Sequence, residues 1–239
     1  MRKYRAAAAV GVILVAAASA AGALAQSSWP SLTVHPTVTP NKAGTPRHPQ
    51  PVKLRIGVNW QTLGAADQPI VTGFQILFPK GSYYNGAKYP SCSFAKVSLG
   101  PQACPKASIT GSGSGVAYAD TTLTRPQITV VNGGGSKVYF YVVLNNPARV
   151  QEPVVGHITK AHGKWAYELS LQVPQNLQIV AGVPIELTQL GVTAGGGNWL
   201  ETTGCAGHKW PFQVTTDYLN PNIAGDTGSQ TYASSVACR

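Results

Sequence analysis

Val52, Leu54, Ile56, Val58 and Trp60 alternate without a break with Lys53, Arg55, Gly57 and Asn59. A period of two sends successive side chains to opposite faces of an extended strand, so this segment belongs in a sheet with one face covered and the other in water. The same alternation returns at Phe74-Ile76-Phe78, at Trp165-Tyr167-Leu169-Leu171-Val173 and at Trp210-Phe212-Val214. Lys137 to Leu144 departs from it. Val138-Tyr139-Phe140-Tyr141-Val142-Val143 is apolar or aromatic throughout, the pattern of a central strand covered on both faces. Weaker strand signals lie near 94–99, 116–123, 127–131, 153–159 and 183–193. In the last, Val183-Ile185-Leu187 gives way to Leu190-Val192, a change of phase that predicts a β-bulge near Thr188-Gln189.

No window carries an i, i+3, i+4, i+7 apolar stripe, and 26 glycines with 18 prolines interrupt the chain too often for long helices. The expectation is an all-β fold, an antiparallel β-sandwich of jelly-roll or immunoglobulin-like type with about ten strands. It occupies 52–239 as one unit, because no linker-like stretch near residue 125 separates two immunoglobulin-sized halves. Residues 26–51 hold six prolines among Ser, Thr and single charges. That composition favours extended backbone and reads as a disordered leader or linker.

Residues 1–25 have the three parts of a secretory signal peptide: basic Arg2, Lys3 and Arg5, an apolar run from Ala6 to Ala18, and the small-residue site Ala23-Leu24-Ala25. No cysteine follows that site to carry a lipid, and no later stretch is long and apolar enough for a transmembrane anchor. The expected location is secreted, extracellular or cell-envelope associated. Cys92, Cys104, Cys205 and Cys238 then read as two disulfides. Proximity favours Cys92–Cys104 and Cys205–Cys238, although four cysteines allow three pairings. Cys205-Ala206-Gly207-His208 lacks a second ligand pair at zinc-like spacing, so no metal and no cofactor is expected.

Removing the signal takes away three positive charges, so the formal net charge passes from +10 to +7. Thirteen Lys and Arg stand against three acids from 26 to 166, whereas 167–239 has two bases and five acids. A basic exported surface attracts anionic envelope polymers, acidic polysaccharides or phospholipid head groups at long range; it equally serves solubility. Nucleic acid is not an expected partner, since the chain has no basic helix and no RNA-binding signature. The opposite charge of the two parts suggests self-association, head to tail between copies.

Phe78-Pro79-Lys80-Gly81, Tyr89-Pro90-Ser91-Cys92-Ser93 and the run from Gly100-Pro101-Gln102-Ala103-Cys104 to Gly111-Ser112-Gly113 stand ahead of Gly204-Cys205 and Lys209-Trp210-Pro211-Phe212. Together they resemble an uncharacterised family of secreted bacterial β-rich proteins, over most of 52–220. The resemblance implies secretion, a β-rich fold and, by analogy, a Cys92–Cys104 bridge around a loop. It implies no established activity and no catalytic residues.

Sugar recognition needs flat rings to stack on sugar faces and polar groups to hold hydroxyls. Gly81 to Tyr89 supplies Tyr83, Tyr84, Asn85 and Tyr89, flanked by Lys80, Lys88, Lys96 and Lys106, with no acid between Asp67 and Asp120. Tyr83, Tyr84, Asn85, Lys88 and Tyr89 are therefore the candidate contacts for an anionic glycan. Trp199, beside Gly195-Gly196-Gly197, is a second exposed-aromatic candidate. In the competing reading these rings pack the loop and its disulfide against the sheet.

Glycoside hydrolysis requires two carboxylates about 5–10 Å apart. Glu168, Glu186, Glu201, Asp217 and Asp226 are the available suppliers, with Glu168 and Glu186 as a pair across neighbouring strands. Gly111-Ser112-Gly113-Ser114-Gly115 matches a nucleophile-elbow string but reads as a flexible loop in an all-β setting. Gly133-Gly134-Gly135-Ser136-Lys137 lacks phosphate-loop spacing and reads as a hairpin turn. His157 and His162, five apart, face opposite sides of a strand. No catalytic residue is assigned. The leading expectation is non-catalytic binding of, or structural association with, an envelope polymer or glycan. The alternatives are a secreted carbohydrate-active hydrolase and a self-associating envelope protein.

Overall fold

The computed structural model describes residues 29–61 and 69–239; the expected signal peptide lies outside the described residues. In chain order the elements are β1 (Leu32–Thr39), β2 (Gln50–Pro51), β3 (Lys53–Trp60), β4 (Ile70–Pro79), β5 (Ser82–Tyr84), α1 (Phe94–Val97), β6 (Ile109–Ala119), β7 (Thr122–Thr124), β8 (Gln127–Gly134) and β9 (Lys137–Leu144). They continue with β10 (Val150–Lys160), β11 (Trp165–Gln172), α2 (Gln175–Gln178), β12 (Ile179–Val180), β13 (Val183–Gly195), β14 (Leu200–Thr202), β15 (Lys209–Leu219) and β16 (Thr227–Ala237).

Eleven strands form one path, β1-β3-β13-β6-β8-β9-β10-β11-β4-β15-β16, with β7 added on β6 and β12 on β13. β2, β14 and β5 make a separate three-stranded sheet. Every neighbouring pair is antiparallel. The two ends of the long path approach one another: β1 lies alongside β16, and Trp29 stacks on Tyr218 with ring centroids 5.8 Å apart. Beyond the strands, the Arg239 N–H donates to the Asn41 carbonyl (3.0 Å) and the Ala43 N–H to the Arg239 carbonyl (2.7 Å). The fold is therefore all-β and antiparallel as expected; its main sheet is a rolled, nearly closed barrel-like one of eleven strands, so the sandwich is not confirmed, and there are more strands than the ten expected.

The alternation in β3 carries through to the structure. Leu54, Ile56, Val58 and Trp60 are buried inside the roll, while Lys53, Arg55 and Asn59 are exposed. β9 is covered on both faces. Val138 and Phe140 face the interior, and the outward Tyr139 and Tyr141 are only 3% and 5% exposed because the Cys92–Cys104 loop lies over them through Val97. The β-bulge falls where the phase changes: the β13 register shifts between Leu187 and Gln189, and the Thr188 hydroxyl donates to the Val116 carbonyl at 3.1 Å. The disulfides are Cys92–Cys104 and Cys205–Cys238.

Three expectations need correction. The Pro-rich 26–51 segment is not a disordered leader from Leu32 onward: β1 pairs along its whole length with β3, burying Leu32, Val34 and Val38. Pro36 fits there because β1 is a terminal strand of the path, where a missing N–H on the outer side leaves no ladder bond unmade. Residues 94–99 are not a strand. Ser93 caps α1 by accepting from the Lys96 N–H, and the Cys92–Cys104 bridge closes the loop around that turn. Gly111-Ser112-Gly113-Ser114-Gly115 is not a loop but part of β6. A Cβ on Gly113 would stand 2.6 Å from the Gly191 carbonyl and one on Gly115 2.8 Å from that of Gln189. The glycines thus let β6 and β13 approach closely.

Candidate functional site: an apolar cavity inside the rolled sheet

The inward faces of β3, β4, β6, β8, β9, β10, β11, β13 and β15 do not fill the roll; they leave a cavity of 210 Å³. Its walls are Leu, Ile, Val, Phe and Ala side chains, among them Ile56, Phe74, Val130, Phe140, Leu169 and Leu190. No charged side chain lines it. The outward faces carry the polar half of each alternation, such as Lys53, Arg55 and Asn59 on β3 and Ser112 and Ser114 on β6. That is the reverse of a membrane-spanning barrel, whose apolar band faces outward. Among the described residues, no helix is long and apolar enough to cross a membrane.

One end of the cavity is closed by α2. Leu177 reaches its wall, the Asn176 side chain donates to the Glu152 carboxylate on β10, and the Gln178 amide donates to the Val173 carbonyl (2.6 Å). Outside this end, burial pushes the Glu186 carboxyl up to about 7, with nearby Asp120 adding to the rise.

The other end is lined by Ser82, Tyr84, Tyr167 and Trp199, the residues of the wall that carry polar side-chain atoms. The β5 strand, paired with β14, carries Tyr84 over this end. The Tyr84 ring meets Trp199 edge to face at 5.4 Å and Tyr167 at 6.3 Å. Its hydroxyl lies 3.3 Å from the Lys137 carbonyl and 3.4 Å from the Asn132 side-chain oxygen. Burial pushes this phenol up to about 12, so it remains a neutral donor. Asn132, 0% exposed, shares its amide N–H groups among the carbonyls of Gly86 (3.0 Å), Tyr89 (3.2 Å) and Pro90 (3.0 Å). It pins the tyrosine loop to the β8 strand end.

The expected sugar-binding residues divide accordingly. Tyr83 is 42% exposed and Lys88 is exposed. Tyr84 faces inward, and Tyr89 is half-buried against the same cluster. The Asn85 amide donates to the Asn198 carbonyl (2.6 Å) and the Glu201 carboxylate (2.7 Å). Trp199 is not an exposed aromatic: at 4% exposure it has no face free to stack on a sugar. Its ring is the cover that lets Tyr84 and Leu200 close the barrel end.

The carboxylates are not brought together. Glu168 lies on β11 and Glu186 on β13, with β6, β8, β9 and β10 between them, so they are not on neighbouring strands. Glu201, 8% exposed, is occupied by Asn85. Among the described residues, no group of three or more His, Cys, Asp or Glu side chains is placed to hold a metal ion. Sequence reasoning missed Asn132 and the cavity. Asn132 sits in Val131-Asn132-Gly133-Gly134, a string that signals only a turn. Its partners lie more than forty residues away in sequence.

No family model matches the chain, and no curated protein matches it.

Proposed function

We propose that this is an exported, non-catalytic binding protein whose rolled sheet holds one small apolar molecule. The observation that carries the reading is the uncharged cavity of 210 Å³ within the rolled sheet. A cavity of about 150 Å³ lined by Leu, Ile and Phe takes up benzene, whereas sites for drug-sized ligands span about 300–1,000 Å³. The space here lies between these and suits a single ring or a short hydrocarbon chain. Left empty it would cost about 5 kcal/mol at ~24 cal/mol per Å³, a large share of the ~5–15 kcal/mol that stabilises a typical domain. A ligand recovers much of that cost. The two disulfides suit an oxidising compartment outside the cytoplasm, in keeping with the signal-like residues at the N-terminus.

The geometry favours this interior over the tyrosine loop as the binding surface. Tyr84, Asn85, Tyr89 and Trp199 are committed to packing and internal hydrogen bonds, which leaves only Tyr83 and Lys88 for an envelope polymer. The test is a titration of the disulfide-bonded protein with benzene and n-hexane, followed by NMR of the cavity methyl groups and by thermal unfolding. Saturable one-to-one binding, with stability rising by about 2.7 kcal/mol at 100 times Kd, supports the reading. Shifts that never saturate, or that spread over surface methyls, overturn it.

A further inference from the structure

Lysines gather at the end of the roll covered by Tyr84 and Trp199. Lys80 follows β4, Lys88 comes after β5, Lys96 and Lys106 lie between β5 and β6, Lys137 opens β9 and Lys164 sits in the β10–β11 turn; all six are exposed. Backbone hydrogen bonds hold these turns side by side. The Lys80 N–H donates to the Lys164 carbonyl (3.3 Å), the Ile158 N–H to the Ser136 carbonyl (2.7 Å) and the Cys92 N–H to the Asn132 carbonyl (2.9 Å). Acids are sparse here. Between residues 68 and 151 the sequence has one, Asp120, at the far end of β6. Glu186 stands near it on β13, Glu152 meets α2, and Asp226 lies in the far turn between β15 and β16. On the lysine-rich half stand Glu201, occupied by Asn85, and Glu168 on β11. Apolar side chains project from the same end. Leu99, 73% exposed, is the most exposed large apolar residue among the described ones, and Phe94 is 51% exposed. Both are held in place: the Cys92–Cys104 bridge closes their loop, the Leu99 carbonyl accepts from the Gln102 amide (2.8 Å), and the Phe94 ring meets Tyr139 edge to face at 5.9 Å. Ile223 is as exposed as Phe94, but its turn holds Asp226 and no base.

We propose that this end docks on the surface of an anionic phospholipid bilayer, with Leu99 and Phe94 entering among the head groups and the surrounding lysines facing the lipid phosphates. Lysines close to an anionic leaflet add attraction one by one, and apolar side chains inserted at the head-group level add what charge alone does not supply. The combination selects among anionic partners. An acidic polysaccharide answers the lysines but gives Leu99 no apolar phase to enter. A second copy of the chain answers them poorly, because exposed Arg125 and Arg149 stand beside the acids of the opposite end and dilute its negative charge. The docking surface is independent of the cavity reading.

The experiment is co-sedimentation of the disulfide-bonded protein with vesicles of phosphatidylcholine, alone or mixed with phosphatidylglycerol, and with immobilised polygalacturonate as a polyanion without an apolar phase. The expected result is binding to the mixed vesicles that weakens with salt. Leu99→Ser should weaken it about tenfold, and Lys96→Gln with Lys106→Gln together about thirtyfold. Arg125→Gln with Arg149→Gln, at the opposite end, should leave it unchanged. Should Leu99→Ser fail to fold, a paramagnetic label on the acyl chains decides in the unsubstituted protein, where it should broaden the Leu99 methyl signals ahead of those at the far end. Absence of binding to the mixed vesicles overturns the proposal. So does binding that Leu99→Ser leaves intact and polygalacturonate matches, which would make this end a polyanion site. Dimers that form without vesicles and are lost in Leu99→Ser, seen by sedimentation velocity, overturn it in favour of a second copy.

Discussion

Filling the cavity from its wall separates real internal space from mere loose packing. Ala117 on β6 is wholly buried and lines the α2 end, and Ala194 on β13 lines the end near Trp199. Ala117→Leu adds three carbons, each worth about 0.8 kcal/mol when taken out of water. If they enter the 210 Å³ space without displacing neighbours, the ceiling is about 2.4 kcal/mol; allowing for rotamer restriction, we expect a gain of about 1–2 kcal/mol in the ligand-free protein. The assay is urea unfolding read by tryptophan fluorescence, in which the midpoint should rise at unchanged slope. Ala194→Val should gain less, because it adds two carbons. Both variants should weaken benzene binding at least tenfold, since filled space is no longer available to a ligand. If Ala117→Leu instead destabilises by about 1–3 kcal/mol, as overpacked cores do, and benzene affinity is unchanged, the wall is closed against its neighbours and the reasoning from cavity volume is refuted.

Glu186 provides a pH test. Its carboxyl is raised from 4.5 to about 7, by burial first and Asp120 second. Its ionisation therefore costs the folded state nothing below the unfolded value and progressively more as pH rises through 7. Because the group is only partly buried, solvent screening reduces the effect to about 1 kcal/mol, so Glu186→Gln should stabilise by that amount at pH 8 and by almost nothing at pH 4, measured by urea unfolding. Asn132→Ala strands the carbonyls of Gly86, Tyr89 and Pro90; we expect a loss of about 2–4 kcal/mol and faster amide exchange confined to residues 84–92, and uniform exchange changes would contradict the pinning role. Replacing Cys205 and Cys238 together opens a loop of 33 residues and should cost about 4 kcal/mol by chain entropy, more than the ~3 kcal/mol for Cys92 and Cys104 with their separation of 12. Thermal melts of the two double variants rank them directly.

The sequence was most legible where alternation is strict and the covering partner is local. β3, β9 and β11 appear within a residue or so of where period and composition place them, and the bulge in β13 follows from a change of phase at Thr188. β1 was hidden because Pro36 and the prolines around it argue for extended free chain, and only the β3 edge it covers makes it a strand. β16 was hidden for another reason. Thr227–Ala237 is mostly exposed and has little apolar content, so it is held by its backbone ladder to β15, which no side-chain pattern announces. Alternation shows that one face of a strand is covered but not what covers it. A rolled sheet and a sandwich therefore read alike, and the tyrosines of Gly81 to Tyr89 could be assigned to solvent or to packing with equal justice.

The rolled geometry also explains why there is a cavity at all and why it is small. The barrel interior widens with strand number, and about eight strands enclose either a filled core or one small ligand. Here the path has eleven strands, but they do not all surround open space. β1 and β3 close against β15 through Val34, Val38, Trp60, Trp210, Phe212 and Tyr218, a solid core beside the cavity that uses up one side of the roll. The remaining circumference behaves as a smaller barrel. Gly111, Gly113 and Gly115 of β6 are not part of its wall. Substituting those glycines with alanine to occupy the space is not a clean filling experiment, because the added Cβ meets the β13 backbone instead of the cavity. The alanines at 117 and 194 are therefore the positions at which volume and binding can be varied while the close approach of β6 to β13 is left intact.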